Sequence, residues 1–163
     1  MPFTPYLTVS DEARHHGIAA ESGSKAFNLA GLKAAFFVAE SDRMLELLRS
    51  LPDEVTYRTG HFGLIATHEG FAHSRDWLDA TIASVQANLA HLERELATHL
   101  PTVRLRRPSA SFLAWLDMSA LGWGDDPALV ARREARVALA SGPAFGAQGI
   151  GHARMNIACA RPR

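Results

Sequence analysis

The chain has 163 residues, 47% of them hydrophobic, enough apolar material to bury a core in one domain or two small lobes, which excludes disorder as the default. Its 17 Lys and Arg balance 17 Asp and Glu, so no chain-wide field draws it to nucleic acid or to an anionic membrane. The longest apolar run, Ala34 to Ala39, is far short of the ~20 residues a membrane helix requires. No signal-like segment precedes His16, and the single cysteine, Cys159, cannot form an intramolecular disulfide, so the cytoplasm is expected.

In chain order, Ser10 is placed to cap a short polar helix from Asp11 to Gly17, with His15 and His16 as its polar end. Ile18 to Ala20 reads as a short strand, and Ser22, Gly23 and Ser24 have the chemistry of a turn. Phe36, Phe37 and Val38 predict a buried strand within Leu32 to Ala39, followed by a helix capped by Asp42 that runs to about Leu51, before Pro52. From Arg75 to Leu100 the residues Leu78, Ile82, Val85, Leu89, Leu92 and Leu96 recur at steps of four and three, which predicts one long amphipathic helix ended by Pro101. Its leucine stripe is read as core before coiled-coil seam. Strands are predicted at Val103 to Arg106 and Phe112 to Asp117, then a helix with Asp126 as cap and Pro127 in its first turn. Val137 to Ala140 and Ala153 to Ala158 complete the strands, separated by a glycine-rich loop from Ser141 to Gly151. The pattern is α/β.

Two segments carry residue types suited to chemistry. Ser22-Gly23-Ser24-Lys25-Ala26-Phe27-Asn28 sets a lysine among hydroxyls, a glycine and apolar residues. Such a lysine can become a Schiff-base nucleophile when desolvated or set near a second cation, for which Lys33 is the candidate, and the serines with nearby N–H groups can bind phosphate. By itself, however, the run equally describes a solvated loop lysine. Gly149-Ile150-Gly151-His152-Ala153-Arg154-Met155-Asn156 leads from a glycine turn into an alternating strand, where Arg154 can offer its planar fork to a carboxylate or to a surface ion pair. The eight histidines do not make a metal motif. In particular, His68 and His73 are five residues apart, which turns the second roughly 140° away on a helix, and Gly70 weakens a helix there, so no metal site is assigned. Cys159, on an apolar strand, is read as an inert core thiol.

The run from Ser22 to Leu32 resembles the cofactor-lysine segment of the aminotransferase class I/II family, the fold type I enzymes that use pyridoxal 5′-phosphate (PLP). Gly151 to Ala158 resembles that family's carboxylate-binding arginine segment. Phe112-Leu113-Ala114-Trp115-Leu116-Asp117 and Gly142-Pro143-Ala144-Phe145-Gly146, lying between them, are similar to its cystathionine and cysteine-S-conjugate β-lyase branch. The resemblance covers nearly the whole chain. It implies that Lys25 forms the Schiff base with PLP, that Ser22 and Lys33 contact the cofactor phosphate, and that Arg154 clamps the substrate α-carboxylate. Lys33 stands where many relatives have arginine, so it keeps the charge without the bidentate geometry.

The same resemblance implies a remnant of the large α/β domain over residues 1–85 and an α+β small domain over 86–163. It implies carbon–sulfur β-elimination on an amino-acid substrate, with an aminotransferase and a non-catalytic fragment as the competing expectations. In the family, the acid that partners the pyridine nitrogen and the aromatic that stacks on the ring come before the lysine. Asp11, Glu12 and Glu21 precede Lys25 here, but on a lead-in that does not match the family's partner strand. A homodimer or a complementing large-domain chain is therefore expected.

Overall fold

Two serine caps organise the start of the chain in the computed structural model, which describes residues 3–160. Ser10 Oγ accepts from the Ala13 amide at 3.1 Å and begins helix α1, Asp11–His16. Ser41 Oγ accepts from the Met44 amide at 3.3 Å and begins helix α2, Asp42–Arg49. The cap is thus Ser41 and not Asp42, whose carboxylate occupies the first turn, where the helix dipole favours it. The Ser41 hydroxyl also donates to the His15 carbonyl at 2.6 Å, tying the start of α2 to the end of α1.

Between these helices, strands β1, Ala19–Glu21, and β2, Phe36–Val38, pair antiparallel, with Ala20 opposite Phe37. The predicted buried strand is shorter than expected, and its side chains are exposed. The cause is local. Ala30–Leu32 form a 3-10 turn closed by Lys33 at φ 51°, and Ala34 is buried, so residues 30–34 dock on a helix and leave only three residues to extend.

That helix is α4, His61–His73, which follows the short α3, Glu54–Tyr57; the sequence reading made neither helical. Gly70, taken as a helix breaker, lies within α4. The buried residues of α4 are Gly63, Thr67 and Gly70, at helical spacing on one face. Tertiary packing against that small face outweighs glycine's poor helix propensity.

Helix α5 spans Arg75–His99, as the apolar period predicts. One folding unit ends within it at Asp79 and a second begins at Ala80. The second unit contains a four-stranded antiparallel sheet in the order β3-β4-β6-β5, formed by Arg104–Leu105, Leu113–Asp117, His152–Asn156 and Ala140–Ser141 respectively. One face of this sheet, through Ala114, Leu116 and Ala153, joins Leu89 and Leu96 of α5 and Ala128 of helix α6, Pro127–Ala135, in the core.

Three further expectations are corrected in this unit. Asp126 precedes α6 but makes no capping bond; its carboxylate instead accepts from the Ser141 hydroxyl at 2.7 Å. The last strand before the glycine-rich loop is Ala140–Ser141, because Arg136 closes α6 at φ 57° and the Val137 amide bonds back to the Ala131 carbonyl. Cys159 is exposed and lies beyond β6. Asn156 Oδ1 accepts from the Ala158 amide, and Asn88 donates to the carbonyls of Ile157 and Cys159, so the chain leaves the sheet before reaching the cysteine. Among the described residues no helix is long and apolar enough to cross a membrane.

Candidate functional site

The lysine segment is a tight loop seated on α4. The Phe27 amide donates to the Gly23 carbonyl at 3.0 Å, closing a turn over Ser24, Lys25 and Ala26. Phe27 is buried, and its ring sits edge-on to Phe71 at 5.2 Å and near Trp77 at 6.4 Å. Lys25, at the middle of the turn, is exposed. Ser22 Oγ accepts from the Ser24 amide at 3.4 Å, which leaves the Ser22 hydroxyl proton free to donate outward.

Among the described residues the amides of Lys25 and Ala26 have no hydrogen-bond partner. Hydroxyls and open amides around one cationic side chain form a donor set chemically suited to an anionic aldehyde such as a phosphorylated pyridoxal. Lys33 is also exposed, at the left-handed close of the 3-10 turn. Among the described residues neither lysine has a carboxylate partner.

The arginine segment belongs to the second unit. On β6 the strand alternation turns Ala153 into the core and directs His152 and Arg154 to the opposite face. Arg154 is half-buried and lies opposite Trp115 of β4 and Ala140 of β5. Its guanidinium carbon stands 4.4 Å from the centre of the Phe145 ring, whose edge meets Trp115 at 5.6 Å, while Trp115 stacks on His152 at 5.6 Å. No carboxylate pairs with Arg154 among the described residues, so its fork is held by an aromatic face and its donors remain available. On the same sheet face, the Ser119 hydroxyl and then its amide hold the Asp117 carboxyl below the usual carboxylate range, with smaller help from His152 and Arg104 against the opposing effect of burial.

The sequence-based candidates Lys25, Ser22 and Lys33 lie in the first unit and Arg154 in the second. Sequence reasoning left unassigned the small face of α4 under the lysine loop and the ring of Phe145 under the arginine. The spacing of Gly63, Thr67 and Gly70 was the available signal for the first. Phe145 was visible only as part of a family landmark. His68 and His73 are closer than the helical rotation argument expects, with rings 6.0 Å apart at the end of α4, but no group of three or more metal-ligating side chains occurs among the described residues.

Comparison with known proteins identifies the family of the chain. The family model for aminotransferase class I and II matches residues 2–162. A Mycobacterium leprae protein provisionally named cystathionine beta-lyase is 38% identical, over 96% of this chain and 41% of that protein. The cystathionine beta-lyase PatB of Bacillus subtilis is 31% identical, with 96% and 41% covered. A Corynebacterium diphtheriae crystal structure, provisionally described as a PLP-dependent beta-cystathionase, matches with a TM-score of 0.89 at 28% identity, over 95% of this chain and 41% of that one. The chain spans about two fifths of the length of the curated relatives it matches.

Proposed function

Taking as premise that this chain belongs to the aminotransferase class I and II family and has the mixed α/β fold of part of a fold type I PLP enzyme, we propose that it is the lysine- and arginine-bearing portion of a carbon–sulfur β-lyase. The substrate class is a thioether amino acid of the cystathionine or cysteine-S-conjugate type, which with water gives a thiol, pyruvate and ammonia. The observation that carries this reading is the lysine loop, where an exposed, unpaired Lys25 stands among hydroxyl and amide donors at the centre of a seated turn.

In this reading Lys25 holds the cofactor through Nζ, and the Ser22 hydroxyl and the loop amides donate to its phosphate, with Lys33 adding a point charge. PLP, when bound, supplies the electron sink that lets an α-proton leave. The Lys25 amine, when not engaged with the cofactor, would be the base that accepts this proton. Arg154, stiffened on Phe145, offers two parallel N–H donors to the substrate α-carboxylate. Residues 1–85 act as the cofactor-binding part and residues 86–163 as the small domain. The chain's partner in this reading is a second copy of itself or a complementing large-domain chain, and the protein works in the cytoplasm.

The test adds PLP to the purified chain, reduces with borohydride and maps the modified lysine, then assays pyruvate release from cystathionine with and without a complementing large-domain segment. A specific adduct on Lys25 that is lost in Lys25→Ala, together with keto-acid-independent pyruvate release, is the expected result. Label spread over Lys25 and Lys33 alike would overturn the site, and turnover that depends on an added keto acid would make the protein an aminotransferase.

A further inference from the structure

The lysine loop reaches its position by resting on a place where α4 has no side chain. A Cβ built on Gly70 would fall 2.8 Å from Phe27 Cδ2 and 2.9 Å from Phe27 Cγ, well inside van der Waals contact. Phe27 cannot simply swing away, because its buried ring is flanked by Phe71 and Trp77. The ring also limits the loop from within, since a Cβ on Gly23 would meet Phe27 Cδ2 at 3.4 Å and Leu29 Cδ1 at 3.2 Å. Phe27 closes the turn through its amide bond to Gly23, and Lys25 lies two residues before it. Any displacement of the ring is therefore passed to the lysine backbone.

We propose that Gly70 is a positioning residue for Lys25: its missing side chain admits the Phe27 ring into α4, and that seat sets how far the lysine amine reaches toward the cofactor aldehyde. The inference rests on the assignment of Lys25 made above and adds a residue on a different element. A methyl group at position 70 would need roughly 0.6 Å more room to restore ordinary contact with the ring, a distance at which reacting groups lose productive alignment. The affected step is condensation of Lys25 Nζ with the aldehyde carbon, in which a carbon–nitrogen bond forms and the aldehyde oxygen leaves as water. Phosphate affinity should change less than the reach of the amine, because Ser22 and Lys33 lie outside the turn that the Phe27 amide closes.

The experiment measures the rate of borohydride-trapped Lys25 labelling against PLP concentration for the unsubstituted chain, Gly70→Ala, Phe27→Leu and the double variant. Gly70→Ala is expected to lower the saturating labelling rate about tenfold while changing half-saturation by a much smaller factor. Phe27→Leu should slow labelling even if Gly70→Ala fails to fold, because the ring no longer holds the turn. In the double variant the smaller side chain makes room for the methyl group, so it should label faster than Gly70→Ala at an equal melting temperature. Equal saturating rates in Gly70→Ala and the unsubstituted chain, or no relief in a folded double variant, would overturn the positioning role alone. No Lys25 adduct in the unsubstituted chain would overturn the site assignment, and this inference with it.

Discussion

Asp117 shows how a single residue ties stability to pH in the second unit. Its carboxylate accepts from the Ser119 amide at 3.0 Å and from the Ser119 hydroxyl, which lowers its pKa from the ordinary 3.8. A depressed carboxyl pKa contributes stability that is complete above the unfolded value and is lost as pH falls through the folded one. Ser119→Ala should therefore lower the melting temperature at neutral pH, and the gap from the parent chain should close in strong acid. The effect should be small, since the carboxylate is largely open to solvent. A gap that persisted in acid would mean that Ser119 acts through packing instead. At this scale residue type made Lys25 and Arg154 candidates only, because a lysine among hydroxyls and an arginine on an alternating strand also describe a solvated loop and a surface ion pair; the order of the flanking segments singled them out. Ser119 and Phe145 were not legible as partners, because what they touch is decided by the turns that return the chain to Asp117 and Arg154.

Helix α5 illustrates the next scale. Its period of apolar residues was clear in the sequence, but periodicity does not say which part of the stripe finds a partner. Leu96 is buried against Val103, Leu116 and Ala128, whereas Ile82 on the same stripe is 44% exposed. Leu96→Ala should cost about 2–5 kcal/mol by leaving a cavity, and Ile82→Ala no more than about 0.5 kcal/mol, as read from urea denaturation midpoints. Similar losses at both positions would mean that the first half of the stripe is covered in solution. Helix α4 escaped the sequence reading for the opposite reason. Its buried face is made of Gly63, Thr67 and Gly70, so no apolar period marks it, and its apolar Phe62, Leu64 and Ile65 are exposed.

For the whole molecule, the order of segments carried the family, and the antiparallel four-stranded sheet followed from strands that were mostly placed within two or three residues. The first unit was harder to read. A two-stranded ribbon and an apolar-faced helix leave Phe36, Phe37 and Phe71 exposed, and an open groove of about 480 Å³ lies between Ala34, Phe36, Leu64 and Phe71. Rules that bury β-favouring residues assume that the covering layer is present, so they predicted a buried strand where this chain shows an exposed one.

The stack of Trp115 on His152 gives the arginine face an optical readout. An indole held 5.6 Å from an imidazole, at an interplanar angle of 21°, reports in its emission on any change in the packing around it. With Trp77 and Trp123 replaced by phenylalanine, the remaining fluorescence should respond when a carboxylate ligand settles on Arg154, which lies opposite Trp115 in the strand register. Occupancy of that face could then be followed in real time, in the absence of turnover and without a chromophore on the ligand.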